Sequence, residues 1–365
     1  MRLVGTLCTL AVAWSTSGSA QTAIPDSIRR IAASQPLFAS HEPLRLTIEA
    51  PLTTIFKERN PESEEYPGTV VHHRAGGQDV NLDVEIRTRG KSRLSRRICQ
   101  FPPLRLDFDK GQVESETFRG QDKLKLAVHC QNERAEYEQY TLKEYLGYRV
   151  FNLLSDLSFR VRLARITYID SDGELDTLTR FGFLIEDDDL LAARHGWLVL
   201  TTHAVPPDVA EQDYLALIGV FQYMIGNPDW SAFNAEPGED NCCHNTRAIG
   251  DPGAGPVFSV PYDFDISGLV NTRYADQLFK PAERDLGIRS VRDRTYRGLC
   301  SSAPSLPKVF ALFNEQKDAI YQLYREQAGL DPKVAQETIE YLDAFYRTIN
   351  DPARVEREFT RKCRG

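Results

Sequence analysis

The feature that most restricts the fold is a change of period partway along the chain. Apolar and polar residues alternate over residues 44–49 (LRLTIE), 81–89 (NLDVEIRTR), 104–108 (LRLDF) and 123–128 (KLKLAV), the pattern of half-buried strands. An acidic, turn-rich loop occupies 58–67. From Tyr140 to Leu157 the spacing switches: Leu142, Tyr145, Leu146, Val150, Phe151 and Leu154 recur at steps of three and four, which predicts an amphipathic helix with Lys143, Glu144 and Arg149 on its polar positions. Strands return at 164–169 and 180–185 around a Ser171-Asp-Gly turn, a predicted hairpin. Beyond Leu190 helical spacing dominates, over 209–224, 305–327 and 332–349. Four strands ahead of the first convincing helix suggest an antiparallel sheet.

The expected organisation is a signal segment (1–20), an arm (21–39), a sheet-rich lobe (40–187) and a helical lobe (188–365), with the acidic run Glu186-Asp-Asp-Asp189 as connector. Residues 1–20 read as a secretory leader, because Met1-Arg2 precedes a short apolar run and Gly18-Ser19-Ala20 closes it. No later run is long and apolar enough to span a bilayer. A secreted or periplasmic location follows as the expectation. The net charge of −8 gives no electrostatic case for nucleic acid, although basic clusters stand at 87–97 and 289–297. Such clusters serve either as solvated faces or as phosphate contacts.

Six cysteines follow the leader, an even number that reads as disulfides in an exported chain. Cys99 with Cys130 would staple one lobe. Cys242 and Cys243, as neighbours, are not expected to bond each other and would reach Cys300 and Cys363. His129 and His244, each beside a cysteine, are expected to be packing residues, and a metal site on His244 lacks any CxxC spacing.

The chemistry concentrates between Tyr214 and Gly268. An apolar helix-like run breaks at Gly226-Asn-Pro228 and presents Asp229, with Asn234 five residues on; a strand-like approach then ends in Asp263 and Asp265. Metal-dependent phosphoryl transfer uses such a set: one carboxylate orients the attacking hydroxyl, while an amide oxygen and a second carboxylate hold the divalent ion. The same spacing also arises from a helix end and a loop with capping aspartates.

Several stretches, Arg87-Thr-Arg-Gly-Lys-Ser92, Phe181-Gly-Phe-Leu-Ile-Glu186 and Pro261-Tyr-Asp-Phe-Asp265, resemble the spore-coat protein H (CotH) kinase family over roughly residues 80–270. Asn227-Pro-Asp-Trp-Ser-Ala-Phe-Asn234 looks like the catalytic loop of other atypical kinases. The resemblance implies an α+β, protein-kinase-like two-lobed fold, with an antiparallel-sheet lobe carrying one helix and a mainly helical lobe. It implies a secreted enzyme that moves the γ-phosphate of ATP, with Mg²⁺ or Mn²⁺, to a protein or small-molecule hydroxyl acceptor. Asp229 would be the catalytic aspartate, Asn234 a metal ligand, and Asp263 or Asp265 the metal-binding aspartate. Arg89, Gly90 and Ser92 would lie over the phosphates, and Glu186 closes the second motif on the nucleotide side. Lys125 paired with Glu144 would hold the inner phosphates; Arg105 stands where the family usually carries strand lysines. A non-catalytic binding or envelope-structural protein on the same scaffold is the alternative.

Overall fold

The structure, a computed structural model, describes residues 24–60, 62–109, 117–235, 241–252, 254–278, 284 and 287–365; the leader lies outside them. Seven strands form a closed barrel: β1 (Leu44–Ala50), β2 (Tyr66–His72), β3 (Val80–Thr88), β4 (Leu104–Phe108), β5 (Lys123–Ala127), β6 (Val161–Asp170) and β7 (Leu178–Ile185). Neighbours run antiparallel in the order β1-β2-β3-β4-β5-β7-β6. β6 then returns to β1 as a parallel pair, from Leu44 opposite Ala164 to Ala50 opposite Asp170. Alternation along each strand sends Leu46, Ile48, Ile86, Leu104, Leu106, Leu124, Ile166 and Leu184 into one interior core.

A second, larger core is built around α3 (Ala135–Leu154) and α5 (Gln212–Ile225), and it includes the C-terminal helices Leu306–Glu315, Lys317–Glu326 and Pro332–Ile349. α3 lies against β6 and β7 on one side and the Lys317–Glu326 helix on another. Contact on several sides explains why even its polar positions Lys143 and Glu144 are buried, where an amphipathic surface helix would expose them. A three-stranded antiparallel sheet completes this half: β8 (Leu198–Val199), β9 (Thr246–Asp251) and β10 (Ala254–Pro261). α4 (Asp188–Arg194) follows β7 and carries the N-terminal helix α1 (Asp26–Ala33) against it, while the short helix α2 (Leu52–Glu58) joins β1 to β2.

This arrangement overturns the expected kinase-like fold. The strands of the first half are not an open antiparallel sheet, because β1 and β6 close them into a mixed barrel, and the second half contains a sheet as well as helices. Local alternation identifies a strand without naming its partner, so a parallel pair made by segments this far apart leaves no trace in the pattern. β2 was hidden by Pro67 and Gly68, which read as loop residues yet sit near its start, where a strand tolerates them.

Cys99 and Cys130 lie at disulfide distance, as expected. The remaining cysteines pair differently from expectation: Cys300 meets Cys363, and Cys242 meets its neighbour Cys243, the two joined by a cis peptide bond. The expectation rests on the strain ascribed to a bridge between neighbouring cysteines. Among the described residues no helix is long and apolar enough to cross a membrane.

Candidate functional site

The loop after β3, the end of α5, the turn before β9 and the end of β10 converge on one cleft of about 310 Å³ between the barrel and the second core. Arg89, Gly90, Lys91 and Ser92 line one side; Asp229, His244, Asn245, Asp263 and Asp265 line the other. A deeper recess continues from it and shares Arg89, Tyr262 and Asp263, adding Arg93, Lys125, Glu144 and Tyr148.

Each acid arrives by a definite local device. α5 starts at Glu211, whose carboxylate caps the Tyr214 amide, and ends at Gly226 with φ 64°. A side chain at Gly226 would collide with the Tyr341 hydroxyl, so glycine is required both for the turn and for the close approach. The chain then turns through Asn227, whose Oδ1 accepts the Asp229 amide at 3.0 Å. Arg297 donates to the Pro228 carbonyl and lies over the Trp230 ring, buttressing the same turn. Arg294 donates to the Met224 and Tyr341 carbonyls, so these arginines of the basic run 289–297 hold main chain together.

The Asp229 carboxylate is held at both oxygens. His244 Nε2 stands 2.6 Å from Oδ1, and Asn245 Nδ2 donates to Oδ2 at 3.1 Å and to the Asp229 carbonyl at 2.7 Å. An ionised carboxylate can only accept, which puts the imidazole proton on Nε2. Asn245 and Asp263 both adopt left-handed backbone, φ 51° and 59°, in the cleft wall. Asparagine and aspartate tolerate that conformation better than other side-chain-bearing residues, and such departures gather at working sites. The Asp263 amide is anchored by donating to the Tyr148 hydroxyl at 2.8 Å.

Beneath the cleft one buried guanidinium meets three acids. Arg93 reaches Asp263 Oδ1 at 2.9 Å, Glu144 Oε2 at 3.4 Å and Asp265 Oδ2 at 3.4 Å. A single cation cannot fully compensate three carboxylates in a dry site, so the two deepest acids hold their protons more tightly than usual. Burial pushes Glu144 up to about 8 against the pull of Arg93, with Asp265 and Asp263 adding to the rise. Burial likewise lifts Asp265 to about 6, although Arg93 and the Tyr274 hydroxyl, which donates to it at 2.9 Å, oppose the shift. Asp263 is the acid that reaches solvent, with 35% of its side chain exposed against 6% for Asp265.

Both carboxyls are raised above their unfolded values, so the folded protein binds more protons and its stability declines as pH rises through the window from about 4 to about 8. Glu144→Gln is expected to remove the part of that decline lying between 4.5 and about 8. Denaturant midpoints of wild type and variant across the range check this, and parallel curves would refute it.

The cleft gathers Arg89, Gly90, Ser92, Asp229, Asp263 and Asp265, with Lys125 and Glu144 in the adjoining recess. Lys125 and Glu144 are not partners, however. Lys125 pairs with Asp188, which also receives Arg247 at 2.8 Å, while Glu144 takes Arg93. Burial works against ionisation of Asp188, but Lys125 and Arg247 outweigh it and hold its pKa below the usual value. Arg105 faces Lys125 across β4 and β5 and lines neither cavity. Glu186 is fully buried away from the cleft, accepting from Arg160 Nε at 2.9 Å and Arg194 Nε at 3.1 Å. Asn234 is exposed outside the cleft, where its carbonyl accepts the His244 amide at 3.2 Å. The amide in the cleft is that of Asn245.

Arg93, His244, Asn245 and Asp188 were missed. Arg93 was hidden within a basic run, and His244 beside cysteines reads as a packing residue. Only the order Asp229…Asn245…Asp263 could have marked Asn245, through a spacing longer than the short motif allows. Compared with known protein families and with curated proteins, the sequence matches none.

Proposed function

We propose that the cleft binds the polyphosphate of ATP together with Mg²⁺ or Mn²⁺ and directs transfer of the γ-phosphate to a hydroxyl of a protein or small-molecule acceptor. The observation that carries this reading is the convergence of Asp229, Asn245 and Asp263 with Arg89, Gly90 and Ser92 on one cavity. It is the activity that the spore-coat protein H resemblance implies, supported here by side-chain chemistry on a barrel scaffold; chemistry is a property of the site more than of the fold.

The donor set suits a hard divalent cation, since Asp263 and Asn245 offer carboxylate and amide oxygens. Among the described residues no group of three His, Cys, Asp or Glu side chains surrounds one point. Magnesium characteristically takes one or two carboxylates and completes its shell with phosphate oxygens and water, so an open set fits it. When bound, the ion neutralises charge developing on the transferred group. Asp229, aligned by His244 and Asn245, accepts the proton of the attacking hydroxyl. Arg89 and the amides around Gly90, where φ is 91° and no side chain intrudes, lie against the phosphates. Arg93 fixes Asp263 and balances the charge below.

Three cysteine pairs at disulfide distance support work outside the cytoplasm, in a secreted or periplasmic setting. A second reading, nucleotide binding without turnover, draws on the 2.9 Å contact by which Arg93 already occupies Asp263 Oδ1.

ATP with Mg²⁺ is expected to raise the melting temperature of the wild type, by the equivalent of about 2.7 kcal/mol at a hundredfold excess over Kd. Asp263→Ala should show no metal-dependent shift. An unmoved wild-type transition would end the nucleotide reading altogether.

A further inference from the structure

A second cavity, about 490 Å³, opens on the far side of Tyr274 from the cleft, and its walls bring together Arg97, Arg134 and Arg273 with Tyr137, Tyr274 and Gln131. Arg273 is paired with Glu136 at 2.6 Å. Arg97 and Arg134 have no carboxylate partner among the described residues, although the chain as a whole is acidic. Arg134 is also the N-cap of α3, a twenty-residue helix with no side-chain cap, so the positive end of that helix faces the same space. Beneath lie the Cys99–Cys130 pair and the rings of Tyr137 and Tyr274, stacked at 6.5 Å and 27°. That floor is buried and cross-linked, so the arginines stand on a rigid base.

We propose that this cavity is a docking subsite for carboxylate side chains of an acidic acceptor polypeptide. Guanidinium forks match carboxylates bidentately, and their number here exceeds what the described residues neutralise. The tyrosine faces and Ile98 offer apolar surface to the methylene stem of an acidic side chain, which a bare inorganic anion would not use. The volume also exceeds the need of one small anion. Position links the subsite to the chemistry: the Tyr274 hydroxyl, behind this wall, donates to Asp265 in the cleft, and the short helix Ala275–Leu278 shows Gln277 to the cavity and Leu278 to the cleft. A polypeptide anchored here would lie beside the cleft that Asp265 and Leu278 help to line. The role as acceptor subsite rests on the proposed phosphotransfer, whereas binding itself does not.

The test is fluorescence anisotropy of a fluorescein-labelled hexaglutamate peptide titrated with the intact chain at low ionic strength, without nucleotide. Wild type is expected to bind with salt-dependent affinity, and Arg97→Glu combined with Arg134→Glu to lose about ten-fold or more. Both residues are exposed, and a thermal melt confirms that the variant folds. Lys308→Glu combined with Lys333→Glu, an equal charge change at exposed positions elsewhere, should leave binding within about two-fold. No wild-type binding, equal loss in the control pair, or displacement of the peptide by stoichiometric inorganic phosphate would overturn the proposal. Because no turnover is read, its failure is distinct from failure of the phosphotransfer reading, which the ATP-dependent melting shift reports separately.

Discussion

Arg93→Met is expected to destabilise the protein by about 3–5 kcal/mol at neutral pH, the cost of leaving buried acids without their cation. The guanidinium is buried and its pKa stands well above the usual value; desolvation works against the charge, but Asp265, Glu144 and Asp263 more than restore it. Removing it lifts the Glu144 and Asp265 pKa values further, so the deficit should grow as pH rises and shrink toward about pH 4, where both acids carry protons in folded wild type and variant alike. Arg93→Lys should recover only part of the loss, because a single ammonium cannot reach three carboxyls from one position. Denaturant unfolding at several pH values measures all three. A loss under about 1 kcal/mol for Arg93→Met, or one independent of pH, would show that the acids are compensated in some other way.

Asp229→Asn is expected to lower phosphotransfer by about 10²–10⁴-fold while ATP still raises the melting temperature, since the amide keeps the shape but cannot take the hydroxyl proton. His244→Gln should fall between wild type and Asp229→Asn, because it removes the 2.6 Å contact that orients the carboxylate without removing the base. Radiolabelled γ-phosphate incorporation into acceptor or into the chain itself provides the readout. Comparable activity in Asp229→Asn would remove Asp229 from the chemistry. A wild type that binds ATP and never turns over would leave the binding-only reading in place.

How much of this was legible follows from the range of each signal. β1, β3, β4 and β5 were visible because alternation is a local property, and the same holds for α3 and the Pro332–Ile349 helix. The closure of β1 on β6 was not, since nothing in Leu44–Ala50 announces that its partner is Ala164–Asp170. β9 and all but the end of β10 were missed for a different reason: Gly250, Gly255 and Pro256 punctuate the hairpin, so only the strand-like approach from Val260 stood out. In the site, acids at element ends were found because a break after an apolar run can be seen by eye. Pairing was not legible. Lys125 and Glu144 share a recess yet take other partners, because Arg93 on its short 3₁₀ turn reaches Glu144 first and Asp188 comes up from α4 to meet Lys125. The Asn234 and Asn245 exchange is of the same kind, since Asn234 pairs with His244 through main chain and is exposed, while Asn245 lines the cavity.

The barrel's single parallel seam carries a consequence for how the chain is made. β1 is among the first strands to emerge, yet its second neighbour lies in Ala164–Asp170, so the ring cannot be sealed until that later segment has been synthesised. Through that interval the flank of β1 presents unsatisfied amides and carbonyls, the state most prone to pairing with the wrong chain. Once sealed, the ring offers no open flank on which another polypeptide can add a strand, so partners of the barrel itself attach through side chains and do not extend its sheet.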